Sequence, residues 1–147
     1  MSVRSYTKVW LHTVWSTYRR ERTLIERNLR IELSKYLHEY AEEKKIYMKV
    51  NYVNPEHVYS LIDLQTNMAI EEAFHLLKGS SSRWVNNYVN FKFSWGKGYA
   101  AFSVSESNID RVVKYIINQE EHHRVKSFTE EYEEFLEKHN LISLVNG

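Results

Sequence analysis

The sequence predicts an α+β domain with a ferredoxin-like β-α-β-β-α-β order and additional helices at its C-terminal end. Two observations carry this prediction. Short segments rich in β-branched and aromatic residues alternate with two long segments of helical periodicity, and a strongly periodic helix follows the last strand. There is no internal repeat or long linker, so 1–147 is expected to form one domain, with a core of about 5–122 and an acidic helical tail of about 123–147.

The first strand and the first helix are predicted from composition and spacing. Residues 6–17 are β-branched and aromatic, which is typical of a strand, and a basic turn at 18–22 follows them. Thr23 is predicted as the N-cap of a helix that continues to about Lys45, because Glu26 stands at the capping-box spacing. The apolar face of this helix contains Leu29, Leu33, Tyr36, Leu37 and Tyr40.

The middle of the chain is predicted to form two strands and a second helix. Residues 46–53 and 57–64 are predicted as strands on either side of a turn at Asn54-Pro55. The second helix is expected at about 68–88, and its centre carries a small, polar and basic patch at residues 78–83. The inward positions of this helix are Ala69, Ala73, Leu76 and Leu77.

The last strand and the third helix complete the predicted core. Residues 91–95 and 99–104 flank a glycine-rich segment and are predicted as one interrupted strand or as a hairpin. A helix capped by Ser107 or Asn108 is predicted at about 109–122, and a final helix near 129–140. The buried stripe of the third helix is Ile109, Val112, Val113 and Ile116. A different, polar face carries Tyr115, Asn118, Gln119 and His122.

Tyr115 is the candidate nucleophile. A phenol on a polar helix face, one turn from the amide of Gln119, can be presented to a substrate such as a phosphodiester. The phenol is protonated at neutral pH, so a neighbouring metal or base must help it attack. A surface tyrosine with an incidental glutamine one turn away produces the same spacing, so both interpretations stay open at this point.

His57 is the candidate metal ligand. On the predicted third strand, His57 and Tyr59 point to the same face, because side chains alternate along a strand. A neutral imidazole there can bind Mg²⁺ or Mn²⁺, which would polarise a scissile phosphate together with an amide oxygen. A second histidine would suit the position of Tyr59, since a neutral phenol is a poor ligand for these ions. A structural histidine without a metal is the alternative.

Composition bounds the classes of partner. No cysteine is present, which excludes a disulfide framework, a thiolate nucleophile and a cysteine zinc site. No apolar stretch approaches the length of a membrane span, so we expect a cytoplasmic protein, nucleoid-associated when bound to DNA, with no membrane partner. Residues 1–119 carry 17 Lys and Arg against 12 Asp and Glu. This basic balance fits a polyanion, and it fits a solvated mixed surface equally well.

Six basic side chains are candidate DNA contacts. Three arginines follow the first strand, two basic residues flank the serine patch, and one lysine lies between glycines that permit close backbone approach. Tyrosine and tryptophan side chains can stack on unpaired bases. For each basic residue, a solvated charge is the alternative. The six residues are Arg19, Arg20, Arg22, Lys78, Arg83 and Lys97.

Several stretches together resemble the single-tyrosine, His-hydrophobic-His transposases of small bacterial and archaeal insertion sequences, including their repeat-associated relatives. Each stretch is weak alone, but they follow the family's order and cover nearly the whole chain. The stretches are 11–20 (LHTVWSTYRR), 54–62 (NPEHVYSLI), 77–83 (LKGSSSR), 95–99 (WGKGY) and 113–123 (VKYIINQEEHH).

The resemblance implies a homodimer that binds single-stranded or hairpin DNA and cleaves and rejoins it by metal-assisted tyrosine transesterification through a 5′-phosphotyrosine. The nucleophile position matches Tyr115, and the metal positions match His57, Tyr59 and Gln119, with Mg²⁺ or Mn²⁺ as the ion. Tyr59 departs from the histidine of the family pattern. His12, on the first strand, is a further candidate nitrogen ligand or a structural residue. The alternative function is a catalytically degenerate nucleic-acid-binding module of the same fold.

Overall fold

The computed structural model describes residues 6–119 and residue 130, and the chain divides into two compact units at 1–117 and 118–147. The described part of the first unit has the predicted β-α-β-β-α-β order followed by a third helix, so the ferredoxin-like fold is confirmed. The strands are β1 (Trp10–Ser16), β2 (Tyr47–Val53), β3 (His57–Asp63) and β4 (Ala100–Val104). The α-helices are α1 (Arg27–Glu43), α2 (Ile70–Tyr88) and α3 (Ile109–Ile117).

The sheet has the order β2-β3-β1-β4, and each neighbouring pair is antiparallel. The two central strands, β1 and β3, are buried along nearly their whole length, which explains why their sequences do not alternate strictly between apolar and polar residues. Their register places Val14 opposite Tyr59 and Ser16 opposite His57. Residues 12 to 16 and 57 to 61 therefore share the centre of the sheet.

Helices α1 and α2 cover one face of the sheet and form the main hydrophobic core with it. The leucines of α1 recur every four residues and are buried, as the helical periodicity predicted. Tyr36 and Tyr40 lie at the margin, where the ring of Tyr36 stacks on Trp84 with 5.5 Å between centroids. The core contains Leu29, Leu33 and Leu37 of α1, Ala73, Phe74 and Leu77 of α2, and Leu11, Trp15, Val58 and Ile62 of the sheet.

Helix α3 lies on the opposite face, where it contacts β2 and β3. Because side chains alternate along a strand, His12 and Tyr59 point away from the α1–α2 core and toward this helix. Ile109 and Ile116 of α3 are buried there, which agrees with the predicted stripe. The described part of α3 ends at Ile117; residues 120–122 of the predicted helix, and the predicted helix near 129–140 apart from Glu130, lie outside the described residues.

The predicted N-cap at Thr23 is wrong. Helix α1 begins at Arg27, Glu26 takes the N-cap position, and no side chain caps this end. The segment before the helix stays extended because the Leu24 N–H donates to Pro55 O at 3.0 Å and the Leu24 side chain is fully buried. Arg30 Nη1 donates to Leu24 O at 2.9 Å, which satisfies a carbonyl that a helix would otherwise use.

The prediction that residues 91–95 form a strand is also wrong, apart from one isolated bridge between Thr17 and Trp95. The Asn86 side chain accepts from the Phe93 N–H and donates to Phe93 O, so these backbone groups are not available to a strand partner. The described first strand is shorter than predicted and begins at Trp10. The candidate caps Ser107 and Asn108 lie in a 3₁₀ turn that leads into α3.

Candidate active site

Four aromatic side chains from three elements meet on the face of the sheet that α3 covers. Tyr59 lies at their centre, with ring centroids 4.9 Å from His57, 5.2 Å from His12 and 5.8 Å from Tyr115. His12 in turn lies edge-on to Tyr115 at 5.9 Å. Strands β1 and β3 supply three of the rings because they are neighbours in the sheet, and α3 supplies the fourth.

Tyr115 is half-buried, and its ring packs against His12 and Tyr59. It is therefore not a freely exposed surface tyrosine, although the spacing along α3 left that interpretation open. Burial of Ile109 and Ile116 fixes the rotation of α3 about its axis, and this rotation directs residue 115 toward the sheet. The arrangement brings the candidate nucleophile next to two imidazole-bearing strands.

His57 is fully buried and is hydrogen-bonded through both ring nitrogens. Asn54 Nδ2 lies 3.0 Å from Nε2, and Glu56 Oε1 lies 3.1 Å from Nδ1. An amide nitrogen can only donate and a carboxylate can only accept, so Nε2 is the unprotonated nitrogen and Nδ1 carries the proton. The neighbours in the turn before β3 thereby select one tautomer of the imidazole.

Glu56 extends this network to the basic turn. Its second carboxylate oxygen, Oε2, accepts from Arg22 Nη1 at 3.1 Å, and its side chain is almost fully buried. The backbone carbonyl of Glu56 accepts from the Thr17 N–H at 2.9 Å. Arg22, a predicted DNA contact, is thus already engaged in an ion pair that places positive charge beside a buried carboxylate.

The donors in the described part of the chain do not fit a site for Mg²⁺ or Mn²⁺. No three His, Cys, Asp or Glu side chains are grouped so as to hold a metal ion within residues 6–119 and 130. The His57 Nε2 lone pair accepts the Asn54 amide proton, and Tyr59 offers a phenol where these ions prefer carboxylate, carbonyl or water oxygens. Gln119 belongs to the second compact unit, and its role as a ligand stays a prediction.

Arg19 and Arg20 are exposed and both have a positive φ, 56° and 57°, in the left-handed region. The turn is closed by the Thr17 side chain, whose Oγ1 donates to Glu21 O at 2.5 Å. Two adjacent non-glycine residues in this conformation are uncommon, because the Cβ atom crowds the following carbonyl. The fold therefore presents these two guanidinium groups from a constrained turn.

Lys78 has a different environment from the other predicted DNA contacts. Its Nζ donates to three backbone carbonyls, Gly96 O at 2.6 Å, Lys97 O at 3.2 Å and Gly98 O at 3.0 Å. Burial lowers the pKa of this ammonium below its ordinary value. The three bonds gather the carbonyls of the glycine-rich segment, whereas Arg83 and Lys97 are exposed.

The sequence predicts His57, Tyr59 and Tyr115 in one site, and the structure brings these three side chains together. The sequence does not predict a role for Asn54 and Glu56, which hold the imidazole from both sides. The sequence does contain a hint of this role, since an amide stands three positions and a carboxylate one position before a strand histidine. This spacing indicates hydrogen bonds to His57 only once the turn at 54–56 is known to fold back onto that residue.

Comparisons with known proteins agree with this fold. Residues 5–119 match the family model described as "Transposase IS200 like". No curated protein matches the chain. Among solved structures, a protein from Deinococcus radiodurans R1 assigned as a transposase shares 24% identity with a TM-score of 0.64, over 81% of this chain and 97% of that one. A REP-associated tyrosine transposase bound to a REP hairpin shares 16% identity with a TM-score of 0.58, over 84% and 73% of the respective chains.

The fold and the cluster around Tyr115 define a ferredoxin-like domain with a tyrosine on a helix that covers the sheet. The chain belongs to the IS200-like transposase family, because the family model spans most of its length. Family members are generally metal-dependent DNA-processing enzymes. Among the described helices, none has the length and apolar character that a membrane crossing requires.

Proposed function

We propose that this chain binds single-stranded or hairpin DNA and cleaves and rejoins it with Tyr115 as the nucleophile. The observation that carries the proposal is the position of Tyr115, whose ring lies 5.9 Å from His12 and 5.8 Å from Tyr59 on the α3 face of the sheet. Membership of the transposase family supports it. A structural relative was solved with a REP hairpin, which favours hairpin DNA as the substrate here.

The chemical step is a transesterification. Tyr115 Oη attacks the scissile phosphorus, the bond from phosphorus to the 3′ oxygen breaks, and a 5′-phosphotyrosine forms. The phenol loses its proton and the departing 3′ oxygen gains one, so no nucleotide cofactor is consumed. Rejoining reverses the step when a 3′-hydroxyl attacks the phosphotyrosine. The basic side chains of the turn at 18–22, together with Arg83 and Lys97, are proposed to hold the DNA backbone.

A catalytically silent DNA-binding module is the second candidate. The observation that favours it is the environment of His57, whose two ring nitrogens are both hydrogen-bonded within the protein. The phenol of Tyr59 also stands where the family pattern has a second histidine. In this case the fold and the basic surface act in DNA recognition, and Tyr115 forms no covalent bond.

We propose that the chain forms a homodimer, whichever of the two functions it has. Light scattering on the full chain tests this oligomeric state.

A covalent-adduct assay tests the first function. The full chain is incubated with single-stranded hairpin DNA from its own genomic flanks, with Mn²⁺, with Mg²⁺ and with chelator, and a denaturant-resistant protein–DNA species is sought. Tyr115→Phe removes only the proposed nucleophile. Tyr47→Phe is the matched control, because it removes a hydroxyl from an exposed ring on the neighbouring strand β2.

An adduct that Tyr115→Phe abolishes and Tyr47→Phe retains supports the transesterification. If hairpin binding exceeds binding to a scrambled strand but no adduct forms, the second candidate is favoured. Tyr59→His is then assayed, and an adduct in that variant would show that Tyr59 alone prevents catalysis in the wild-type chain. A chain that neither binds hairpin DNA selectively nor forms an adduct contradicts both candidates.

A further inference from the structure

The hydrogen bonds of His57 occupy the nitrogen that a metal would need. A metal-binding histidine donates one ring N–H to a carboxylate or carbonyl and offers the lone pair of its other nitrogen to the ion. His57 makes the hydrogen bond to a carboxylate, because Nδ1–H donates to Glu56 Oε1 at 3.1 Å. The lone pair that a metal would use is occupied by the protein itself, since Asn54 Nδ2–H donates to Nε2 at 3.0 Å.

The turn that supplies both partners is anchored on each side. The Asn54 N–H donates to His57 O at 2.8 Å, which closes the turn on itself. Pro55 O accepts from the Leu24 N–H, and Glu56 O accepts from the Thr17 N–H, so the segment before α1 holds the turn from outside. Asn54, Glu56 and His57 are all buried. The amide of Asn54 is therefore fixed against the imidazole by its backbone as well as by its side chain.

We infer that the Asn54 amide takes the place of a divalent cation at His57, so that this site binds neither Mg²⁺ nor Mn²⁺. An N–H group presents a partial positive charge to Nε2, as a cation would, but it adds no coordination site. The neighbouring ring at Tyr59 is a neutral phenol that these ions bind poorly. Asn54 and Glu56 are positioning residues that keep the imidazole in one tautomer without a metal.

This inference concerns the same site as the proposed function and departs from the metal dependence of the family. It implies that hairpin binding, and any adduct at Tyr115, do not require a divalent ion. Tyrosine transesterification has no redox step and needs only proton transfer and stabilised charge on the phosphate, which protein groups can supply. The basic turn reaches this region through the Arg22–Glu56 ion pair.

Manganese binding to the full wild-type chain is the first test. Free Mn²⁺ gives a six-line electron paramagnetic resonance signal that is lost when the ion binds to protein, so titration measures occupancy without any activity assay. We expect no stoichiometric site at micromolar Mn²⁺. One Mn²⁺ bound per chain, and lost in His57→Ala, would overturn the inference.

Two variants test the role of Asn54 directly. Tyr59→His alone adds an imidazole while Nε2 of His57 stays bonded, so we expect little gain in Mn²⁺ affinity. Combining it with Asn54→Asp replaces the donor by a carboxylate ligand, and the gain over the single variant is expected to be at least about tenfold. Asn51→Asp with Tyr59→His is the matched control, because Asn51 is a buried asparagine bonded to Ser34 instead of a histidine.

Circular dichroism confirms the fold of each variant before the titration. If the single Tyr59→His variant binds Mn²⁺ as tightly as the double variant, Asn54 is not the group that excludes the ion. If a variant does not fold, the wild-type titration still decides whether His57 holds a metal.

The adduct assay with chelator separates this inference from the proposed function. An adduct that forms equally in chelator supports both. An adduct that needs Mn²⁺ or Mg²⁺ keeps the proposed function and overturns the inference. If no adduct forms under either condition, the proposed chemistry fails, and the manganese titration alone decides the inference.

Discussion

The ring of Tyr59 lies edge-on to the imidazole of His57, with 4.9 Å between their centroids. The same ring contacts His12 and Tyr115, and its side chain is almost completely buried. A residue that departs from the family pattern is therefore the packing centre of the candidate active site. Its removal should affect the whole cluster and not only one contact.

Tyr59→Ala is expected to lower the free energy of unfolding by about 3 kcal/mol or more, because a buried aromatic ring leaves a cavity among its neighbours. Chemical denaturation of the full chain measures this loss. Tyr47→Ala is the control on the adjacent strand, where the ring is 56% exposed and a loss of about 1 kcal/mol or less is expected. Equal losses in the two variants would show that Tyr59 does not hold the cluster together.

Much of this arrangement follows from the sequence because periodicity and topology are local or nearly local signals. The leucines of α1 recur every four residues, and β1 and β3 are rich in β-branched and aromatic residues, so the element order was predictable. Once a ferredoxin-like order is assumed, β1 and β3 become neighbours, and His12 and Tyr59 fall on one face of the sheet.

The remaining features depend on contacts between distant residues. Thr23 has a good capping sequence, but the bond from the Leu24 N–H to Pro55 O keeps the chain extended beyond it. Lys78 carries the positive charge expected of a DNA contact, but its ammonium is hydrogen-bonded to the carbonyls of residues 96–98. Likewise, the orientation of the Asn54 amide toward His57 depends on how the turn folds, and the amino-acid composition does not indicate this orientation.

Arg19→Gly is expected to stabilise the fold while it weakens DNA binding. The residue has φ 56° and ψ 20°, a left-handed conformation that glycine adopts without steric cost. We expect a gain of about 0.5–1 kcal/mol in the free energy of unfolding, because relief of strain is partly offset by the entropy of glycine in the unfolded chain. Arg19→Ala removes the same charge but keeps Cβ, so it should bring no such gain.

The two Arg19 variants also test the predicted DNA contact. If Arg19 binds a phosphate, both should reduce the salt dependence of hairpin affinity by about one unit of log–log slope. Binding measured at several salt concentrations gives this slope. A slope that neither variant changes would remove Arg19 from the DNA surface, and a Gly variant no more stable than the Ala variant would contradict the strain argument.

Lys78→Met is expected to loosen the segment at residues 96–98. The variant keeps the apolar stem but removes three donated hydrogen bonds, and we expect the free energy of unfolding to fall by about 1–2 kcal/mol. Lys97→Met is the matched control, since Lys97 is exposed and its loss should cost little stability. Hydrogen exchange of residues 96–98 and the salt dependence of hairpin binding distinguish a structural role of each lysine from a role in DNA binding.

A structural role predicts faster exchange in Lys78→Met with an unchanged salt slope, because the ammonium is already bonded within the protein. Lys97→Met should show the reverse, with a smaller slope and ordinary exchange. If Lys78→Met lowers the slope and leaves exchange unchanged, Lys78 contacts DNA directly.

His38 on α1 should make the stability of the fold depend on pH. Burial lowers the pKa of this imidazole below its ordinary value of 6.5, so the unfolded chain binds the proton more readily than the folded one. The neutral imidazole is compatible with the fold. Its contribution to the free energy of unfolding is fully present above pH 6.5 and is lost as pH falls toward the lowered pKa.

His38→Gln removes the titrating group, so the variant should lose less stability on acidification than the wild-type chain. Denaturation of both proteins at about pH 5 and about pH 8 measures this difference, and the other histidines cancel in the comparison as long as they act independently of residue 38. Identical pH dependence in the two proteins would show that burial of His38 does not disfavour its charged form.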